Sequence, residues 1–192
     1  MRYTEEHKAE VRARIVGQAA RALRASGLAG VAIPALMKRA GLTHGGFYRH
    51  FESRDELVAE ALAAAFDETE PKLFGAATNA DDPLRTVVDA YLTRDHRKHP
   101  SLGCALAALG AEAPRQEPIV KRAFNTIAVR FLRGIEKAAH GASAHPGAEF
   151  HDDTLAIASA MIGALVLSRM LRDEALADRV LAATRRFLQA ER

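Results

Sequence analysis

The sequence has little of what several protein classes require. One cysteine, Cys104, stands among 192 residues, so no internal disulfide can form and a disulfide-stabilised secreted scaffold is excluded. The longest apolar stretch, residues 155–168, is shorter than the roughly 20 residues of a membrane span, so we expect no membrane helix. The charged residues 2–8 lack the apolar core of a signal peptide. These absences favour a soluble, cytoplasmic protein that needs no metal or cofactor in order to fold.

Strand signals are also scarce, because no hairpin dipeptide lies between alternating β-branched or aromatic residues. Alanine, the best helix former, occurs 40 times. The sequence therefore predicts an all-α fold, in which glycine and proline positions indicate nine helices. Gly27 should end the first helix, and Pro71 should end a later one that begins at a capping box of Ser53 and Glu56. A single helix should span residues 82–100.

Positive charge is concentrated in the first third of the chain. The 27 basic and 24 acidic residues leave a net charge of +3. Residues 1–60 hold ten basic and seven acidic residues, so they carry this whole excess and the remainder is neutral. Residues 33–51 include Lys38, Arg39 and Arg49 and no acidic residue. Such a basic segment on a neutral chain indicates an anionic partner, most often nucleic acid or a membrane surface.

The same segment has the pattern of a helix-turn-helix. Gly41 can adopt the left-handed conformation of a tight turn between two short helices, and Thr43 can cap the second helix. The shared core of the two helices is predicted to contain Leu36, Ala40, Phe47 and Phe51. The residues that then point outwards are His44, Gly45, Tyr48, Arg49 and His50. The alternative is an ordinary helical hairpin whose glycines merely turn the chain.

Residues 40–57, with the sequence AGLTHGGFYRHFESRDEL, resemble the DNA-binding domain of tetracycline-repressor (TetR) family regulators. The resemblance extends over residues 5–66 when the first helix is included. It implies a helix-turn-helix domain of three helices at residues 1–52 and a domain of six helices at residues 53–192. The family's function implies a homodimeric repressor that binds a palindromic double-stranded operator and releases it when a small effector binds the second domain.

The resemblance also implies roles for individual residues. Thr43 and Tyr48 match phosphate-contacting positions, and His50 matches a position that contacts the DNA backbone. His44 and Gly45 stand where base edges are approached. Gly46 departs from the usual threonine, serine or alanine, and Ala32 departs from the usual helix-capping threonine or serine. The complete set of predicted DNA-binding residues is Lys38, Thr43, His44, Gly45, Gly46, Tyr48, Arg49 and His50; for Lys38 and Arg39 the alternative is simple solvation.

An effector pocket should lie among the middle helices, between residues chosen for aromatic bulk or isolated polarity. The candidates are Phe66, Tyr91, His96, Cys104, Phe124 and Ile127. The alternative for each is an ordinary core position, and for Cys104 packing is favoured over redox sensing. His96 and His99, and separately His140, His145 and His151, have spacings that permit metal binding, but surface positions are favoured and no metal is predicted.

The last two helices are expected to form the dimer interface, because apolar residues cover more than one side of the first of them. The predicted interface residues are Met161, Leu165, Arg169, Leu176, Val180, Thr184 and Phe187. A monomer in which the last helix covers both sides is the alternative. We find no nucleophile paired with a base and no phosphate-binding glycine loop, so no enzyme is predicted. The remaining alternatives are an activator, an effector-free autorepressor, or a helical ligand-binding or scaffolding protein that does not bind DNA.

Overall fold

A computed structural model of the chain describes residues 5–145 and 149–190, with only the backbone of His44. No strand occurs in these ranges, so the all-α prediction is confirmed. The α-helices are α1 (Glu5–Ser26), α2 (Ile33–Arg39), α3 (Arg54–Phe74), α4 (Pro83–Tyr91), α5 (Arg94–Lys98), α6 (Ala105–Leu109), α7 (Pro118–His140), α8 (Asp152–Met170) and α9 (Glu174–Ala190).

The helix starts and stops follow local chemistry. Gly27 ends α1 with a φ of 75°, which a residue without a Cβ adopts at little cost. The Ser53 hydroxyl accepts a hydrogen bond from the Glu56 amide at 3.1 Å, so the predicted start of α3 is confirmed. Asp82 caps α4 in the same manner, through the Arg85 amide at 3.0 Å.

Two boundary predictions and one prediction of helix type are wrong. Helix α3 continues through Pro71 to Phe74. The helix predicted for residues 82–100 is divided into α4 and α5, because the Thr93 hydroxyl accepts the His96 amide at 3.0 Å and starts a new helix. His44–Arg49, which we call the recognition segment, is a 3₁₀ helix rather than an α-helix, and its two glycines give it low α-helix propensity.

Helix α3 is the shared element of the fold. It packs against α1 on one side and against α7 on another, while α8 packs against α7 and α9. The buried side chains of α1 and α3 belong to the same continuous core as those of α7 and α8. The helix-turn-helix is therefore attached to the rest of the chain through apolar packing rather than through a free linker.

Helix α8 corrects the expectation that no segment reaches the length and composition of a membrane span. Its 19 residues have a mean hydropathy of 1.4 over an 18-residue window, and 39% of that window is buried. Core helices of soluble proteins meet the same two criteria. Between Asp153 and Arg169 the helix carries no charged residue, so both its buried side and its exposed side are apolar.

Candidate DNA-binding surface and ligand cavity

The helix-turn-helix is built as its sequence pattern predicts. Gly41 turns the chain between α2 and the recognition segment with a φ of 75°. The side chains of Phe47 and Phe51 are buried and stack with ring centroids 5.4 Å apart. Leu36 of α2 and Ala40, which directly follows α2, are buried in the same core. Phe47 is therefore a core residue, and its burial fixes the side of the recognition segment that faces outwards.

The outward side is basic and aromatic. Tyr48 is 67% exposed, and its ring meets the buried Phe47 edge-on at 5.2 Å. Arg49, Lys38 and Arg39 are also exposed. Because no acidic residue lies between positions 33 and 51, these three cations are not neutralised within the segment. This surface can accept a polyanion without displacing an internal ion pair.

Of the predicted contact residues, Thr43 differs from its expected capping role, and the side chain of His44 is not among the described parts of the structure. The Thr43 side chain makes no capping hydrogen bond, because its backbone carbonyl instead accepts the Gly46 amide at 3.0 Å. Thr43 is exposed, so its hydroxyl remains accessible to a ligand. The His44 side chain lies outside the described part of the structure.

His50 is half-buried beside the same surface. Burial lowers its pKa from the ordinary value, and the positive charges of Lys8, Arg12 and Arg49 lower it further. Its buried Nδ1 has no hydrogen-bond partner among the described residues. The lowered pKa favours the neutral form of this ring.

Arg12 positions the helix-turn-helix against α3, and sequence reasoning missed it. Its guanidinium donates to Glu56 at 2.7 Å and to Glu60, and lies 4.3 Å from the centroid of the Phe51 ring. The hydrogen bond from Arg12 lowers the pKa of Glu56. The two acids stand four residues apart on α3, and this spacing was the available signal for a cationic partner.

A cavity of about 220 Å³ lies among α3, α4 and α5 and contacts four of the six predicted pocket residues. These four are Phe66, Tyr91, His96 and Cys104. The predictions for Phe124 and Ile127 are not supported, because Phe124 lines a separate hollow beside Leu106 and Ile162, and the buried Ile127 lines neither space. One turn beyond Ile127, Phe131 supplies the wall from α7.

His96 is a half-buried wall residue of this cavity, so the prediction of a surface position is wrong. Its Nε2 accepts the Cys104 amide at 2.9 Å, and its Nδ1 lies 2.8 Å from the Tyr91 carbonyl. An amide donor and a carbonyl acceptor together require the neutral tautomer with its proton on Nδ1. Burial lowers the pKa of His96 to about 4, in agreement with this network.

Acidification should destabilise the protein through His96. Its folded-state pKa of about 4 lies below the ordinary 6.5, so the unfolded chain binds more protons between these values. The stabilisation present above pH 6.5 is therefore lost as the pH falls towards 4, by up to about 3 kcal/mol. Urea unfolding from pH 7 to pH 4 measures this loss, and His96→Gln should flatten it. If the free energy of unfolding falls equally steeply with pH in the unaltered protein and in the His96→Gln variant, the assignment to His96 is contradicted.

The predicted interface residues divide into three groups. Met161 and Leu165 are both 0% exposed and belong to the core of the protomer, so the structure contradicts their placement at an interface. The Arg169 guanidinium donates to the His96 carbonyl at 2.8 Å and the Arg97 carbonyl at 3.3 Å. The remaining four lie on the outer side of α9, with Leu176 and Phe187 exposed and Val180 and Thr184 half-buried.

Comparisons with known proteins agree with this geometry. Residues 15–61 match the family model described as bacterial regulatory proteins, tetR family. The HTH-type transcriptional regulator TtgR of Pseudomonas putida is 37% identical over 86 residues, which are 44% of this chain and 40% of that protein. The match thus spans about two fifths of the length of this curated relative.

Solved structures extend the likeness to the whole fold. A TetR transcriptional regulator from Chloroflexus aurantiacus J-10-FL is 24% identical, with a TM-score of 0.73 over 95% of this chain and 94% of that chain. AibR, solved with isovaleryl coenzyme A and operator DNA, is 15% identical, with a TM-score of 0.62 over 90% of this chain and 97% of its own. The helix-turn-helix of this chain thus matches the TetR family model in sequence, and the chain as a whole shares the fold of TetR regulators.

Proposed function

We propose that the protein is a cytoplasmic homodimeric repressor that binds a palindromic operator and is released from it by a small-molecule effector. Residues 1–52 would bind DNA, and residues 53–192 would bind the effector and form the dimer. The observation that carries the proposal is the exposed, acid-free basic surface of a helix-turn-helix whose sequence matches the family. The role is regulatory rather than catalytic.

The exposed residues suggest how the two kinds of DNA contact are divided. Lys38, Arg49 and the hydroxyls of Thr43 and Tyr48 can meet phosphates, which supply affinity independent of sequence. Gly45 stands at the exposed start of the recognition segment, where backbone can approach base edges, next to His44. The half-buried ring of His50 lies beside this surface, at a position where the family contacts the DNA backbone.

A dimer follows from the outer apolar sides of α8 and α9, which we call the α8–α9 face. Five of the eight large apolar side chains exposed in the described residues belong to it: Leu155, Leu167, Met170, Leu176 and Phe187. Exposed apolar side chains concentrated on two neighbouring helices in this way mark an interaction surface. Two copies joined through this face would present two recognition segments to successive major grooves, about 34–36 Å apart.

The cavity is joined to the DNA-binding part of the chain by a hydrogen bond. Gly103 lines the cavity, and its carbonyl accepts the Arg24 guanidinium of α1 at 3.5 Å. An effector with higher affinity for a different arrangement of the cavity walls would shift the dimer towards that arrangement. The spacing of the two helix-turn-helix domains would change with it. AibR supports the proposal, since this fold was solved there with both a ligand and operator DNA.

Fluorescence anisotropy with DNA from upstream of the protein's own gene tests the proposal. Binding should weaken as salt rises, and Arg49→Gln should reduce the slope of log K against log salt by about 0.9. Tyr48→Ala should weaken binding to every sequence, whereas His44→Ala should alter base preference. Arg122→Gln, which removes an exposed arginine of α7, is the matched control.

Absence of any salt-sensitive binding that survives competitor DNA would overturn the proposal. It would favour a helical ligand-binding or scaffolding protein instead. A footprint upstream of the promoter, rather than overlapping it, would indicate an activator.

Two adjacent glycines should respond differently to alanine substitution. A Cβ at Gly46 would make ordinary contacts with Met37 Cε at 3.6 Å and Thr43 Oγ1 at 3.7 Å. Gly46→Ala should therefore stabilise the recognition segment by about 0.5–1 kcal/mol and leave DNA binding equal or stronger. Gly45→Ala gains the same propensity but places its methyl on the exposed side, so its DNA affinity should fall. Urea unfolding measures the stabilities, and fluorescence anisotropy measures the DNA affinities. Equal DNA affinities of the Gly45→Ala and Gly46→Ala variants would contradict the placement of Gly45 at the DNA-facing side.

A further inference from the structure

Three histidines at the junction of α7 and α8 lie together, rather than at separate surface positions. His140 is the last residue of α7, and His151 directly precedes α8. Their rings stack with centroids 3.8 Å apart and an interplanar angle of 23°. The His145 ring stacks on His151 as well, at 4.0 Å. The connection between the two helices thus brings together imidazoles that are up to 11 positions apart in sequence.

A fully buried carboxylate lies beneath these rings. Glu136 Oε1 accepts the His145 amide at 2.9 Å and lies 2.6 Å from His151 Nδ1. Its Oε2 accepts the Thr154 hydroxyl at 2.6 Å and the His151 amide at 3.2 Å. Burial raises the pKa of Glu136, but these donors outweigh it and hold the pKa well below the usual range. An anionic oxygen is therefore held in a fixed position against an imidazole nitrogen.

We propose that Glu136, His140 and His151 form a binding site for a divalent metal ion of the zinc class. Each residue offers one ligand atom, and the three atoms lie within 4.8 Å of one another. Two imidazole nitrogens and one carboxylate oxygen are a donor set that Zn²⁺ accepts, with a fourth position left for water. Mg²⁺ and Ca²⁺ prefer oxygen ligands alone.

The ion would replace the proton that Glu136 Oε1 and His151 Nδ1 share at 2.6 Å, and the two atoms would move apart to about 3.3 Å, as tetrahedral zinc bonds of about 2.0 Å require. That proton then moves to Nε2 of the same ring, so no other group needs to change its charge. Glu136 keeps the hydrogen bonds from Thr154 and from the two backbone amides, which orient it as outer contacts orient ligating carboxylates. Asp153 Oδ1 lies 2.9 Å from His140 Nε2 and adds a second negative charge beside the ion.

Calorimetric titration of the chelator-treated full chain, prepared without a polyhistidine tag, tests the site with Zn²⁺. We expect one ion per chain at micromolar affinity or better, and a rise in melting temperature of about 5 °C at a hundredfold excess over Kd. His140→Ala and His151→Ala should each weaken binding about 100-fold. Mg²⁺ should produce no saturable signal.

Two control variants distinguish the site from general histidine content. His145→Ala removes a ring of the same connection that the proposal does not make a ligand, so its affinity for Zn²⁺ should stay within about threefold. His99→Ala removes an exposed histidine of another element and should have no effect. Circular dichroism shows whether each variant is folded. The proposal is overturned if the unaltered chain binds no stoichiometric Zn²⁺. It is also overturned if the folded His140→Ala and His151→Ala variants bind Zn²⁺ as tightly as the unaltered chain does, because the cluster would then only hold the connection in place.

Discussion

Replacing Met170 and Phe187 with glutamate should convert the protein from a dimer of twice 20.8 kDa into a monomer of 20.8 kDa. The two side chains are 73% and 58% exposed in the protomer, so charging them leaves its core intact. In the dimer both would enter the α8–α9 face, where an unpaired carboxylate loses its hydration. Light scattering at micromolar concentration measures the mass.

Operator affinity should fall by about 100-fold or more in the same variant. In a dimer, the second helix-turn-helix domain binds its half-site as an intramolecular event, at a high effective concentration. This gain in affinity disappears when the protomers separate. The matched control is Ile119→Glu, which charges an exposed apolar residue of α7 outside the α8–α9 face. A dimeric mass in the Met170→Glu, Phe187→Glu variant, or a monomeric mass in the unaltered chain, would refute the interface.

Local sequence chemistry accounts for most of what could be predicted of the helix-turn-helix. The burial of Phe47 and Phe51 follows from their four-residue spacing, and the turn at Gly41 follows from its lack of a Cβ. These features depend on neighbours a few positions away, so a short segment contains the information. The 3₁₀ geometry of the recognition segment also has a local cause, because Gly45 and Gly46 have low α-helix propensity.

The buried side of α8 could not be predicted in the same way. Because this helix is apolar on all sides, no periodicity distinguishes the residues that face the core from those that face outwards. Met161 and Leu165 were assigned to the interface, although both are fully buried within the protomer. The outward residues Leu167 and Met170 were missed for the same reason. Only the packing of distant segments decides which side is buried.

The hydrogen-bond partners of buried polar residues were the second feature that the sequence did not reveal. Glu136 is buried only because Thr154 and the connection after α7 fold over it. His96 is half-buried only because the Cys104 amide and the Tyr91 carbonyl satisfy its two nitrogens. Each group depends on partners whose positions are set by the tertiary fold, and its sequence neighbourhood resembles that of an ordinary surface residue.

Arg24→Met should lower the free energy of unfolding by about 3 kcal/mol and the melting temperature by about 6–12 °C. The Arg24 side chain is 0% exposed, and its guanidinium donates to Glu68 Oε2 at 2.6 Å and to the Ala65 carbonyl at 3.1 Å. The hydrogen bond from Arg24 lowers the pKa of Glu68, so the pair is ionic. Methionine keeps the length and apolar volume of the stem but removes every donor. Because Glu68 is 32% exposed, it can be rehydrated, which places the loss at the lower end of the range for buried pairs.

The matched control is Arg21→Met, which removes an exposed arginine from the same helix and should change the stability by less than about 0.5 kcal/mol. Arg24→Lys should give an intermediate loss, because a lysine retains the charge but cannot donate to Glu68, Ala65 and Gly103 together. Urea unfolding at one protein concentration measures all three variants. Equal stabilities of the Arg24→Met and Arg21→Met variants would show that α1 is held to α3 by apolar packing alone. Arg24 would then have no part in transmitting a change at the cavity wall to the DNA-binding surface.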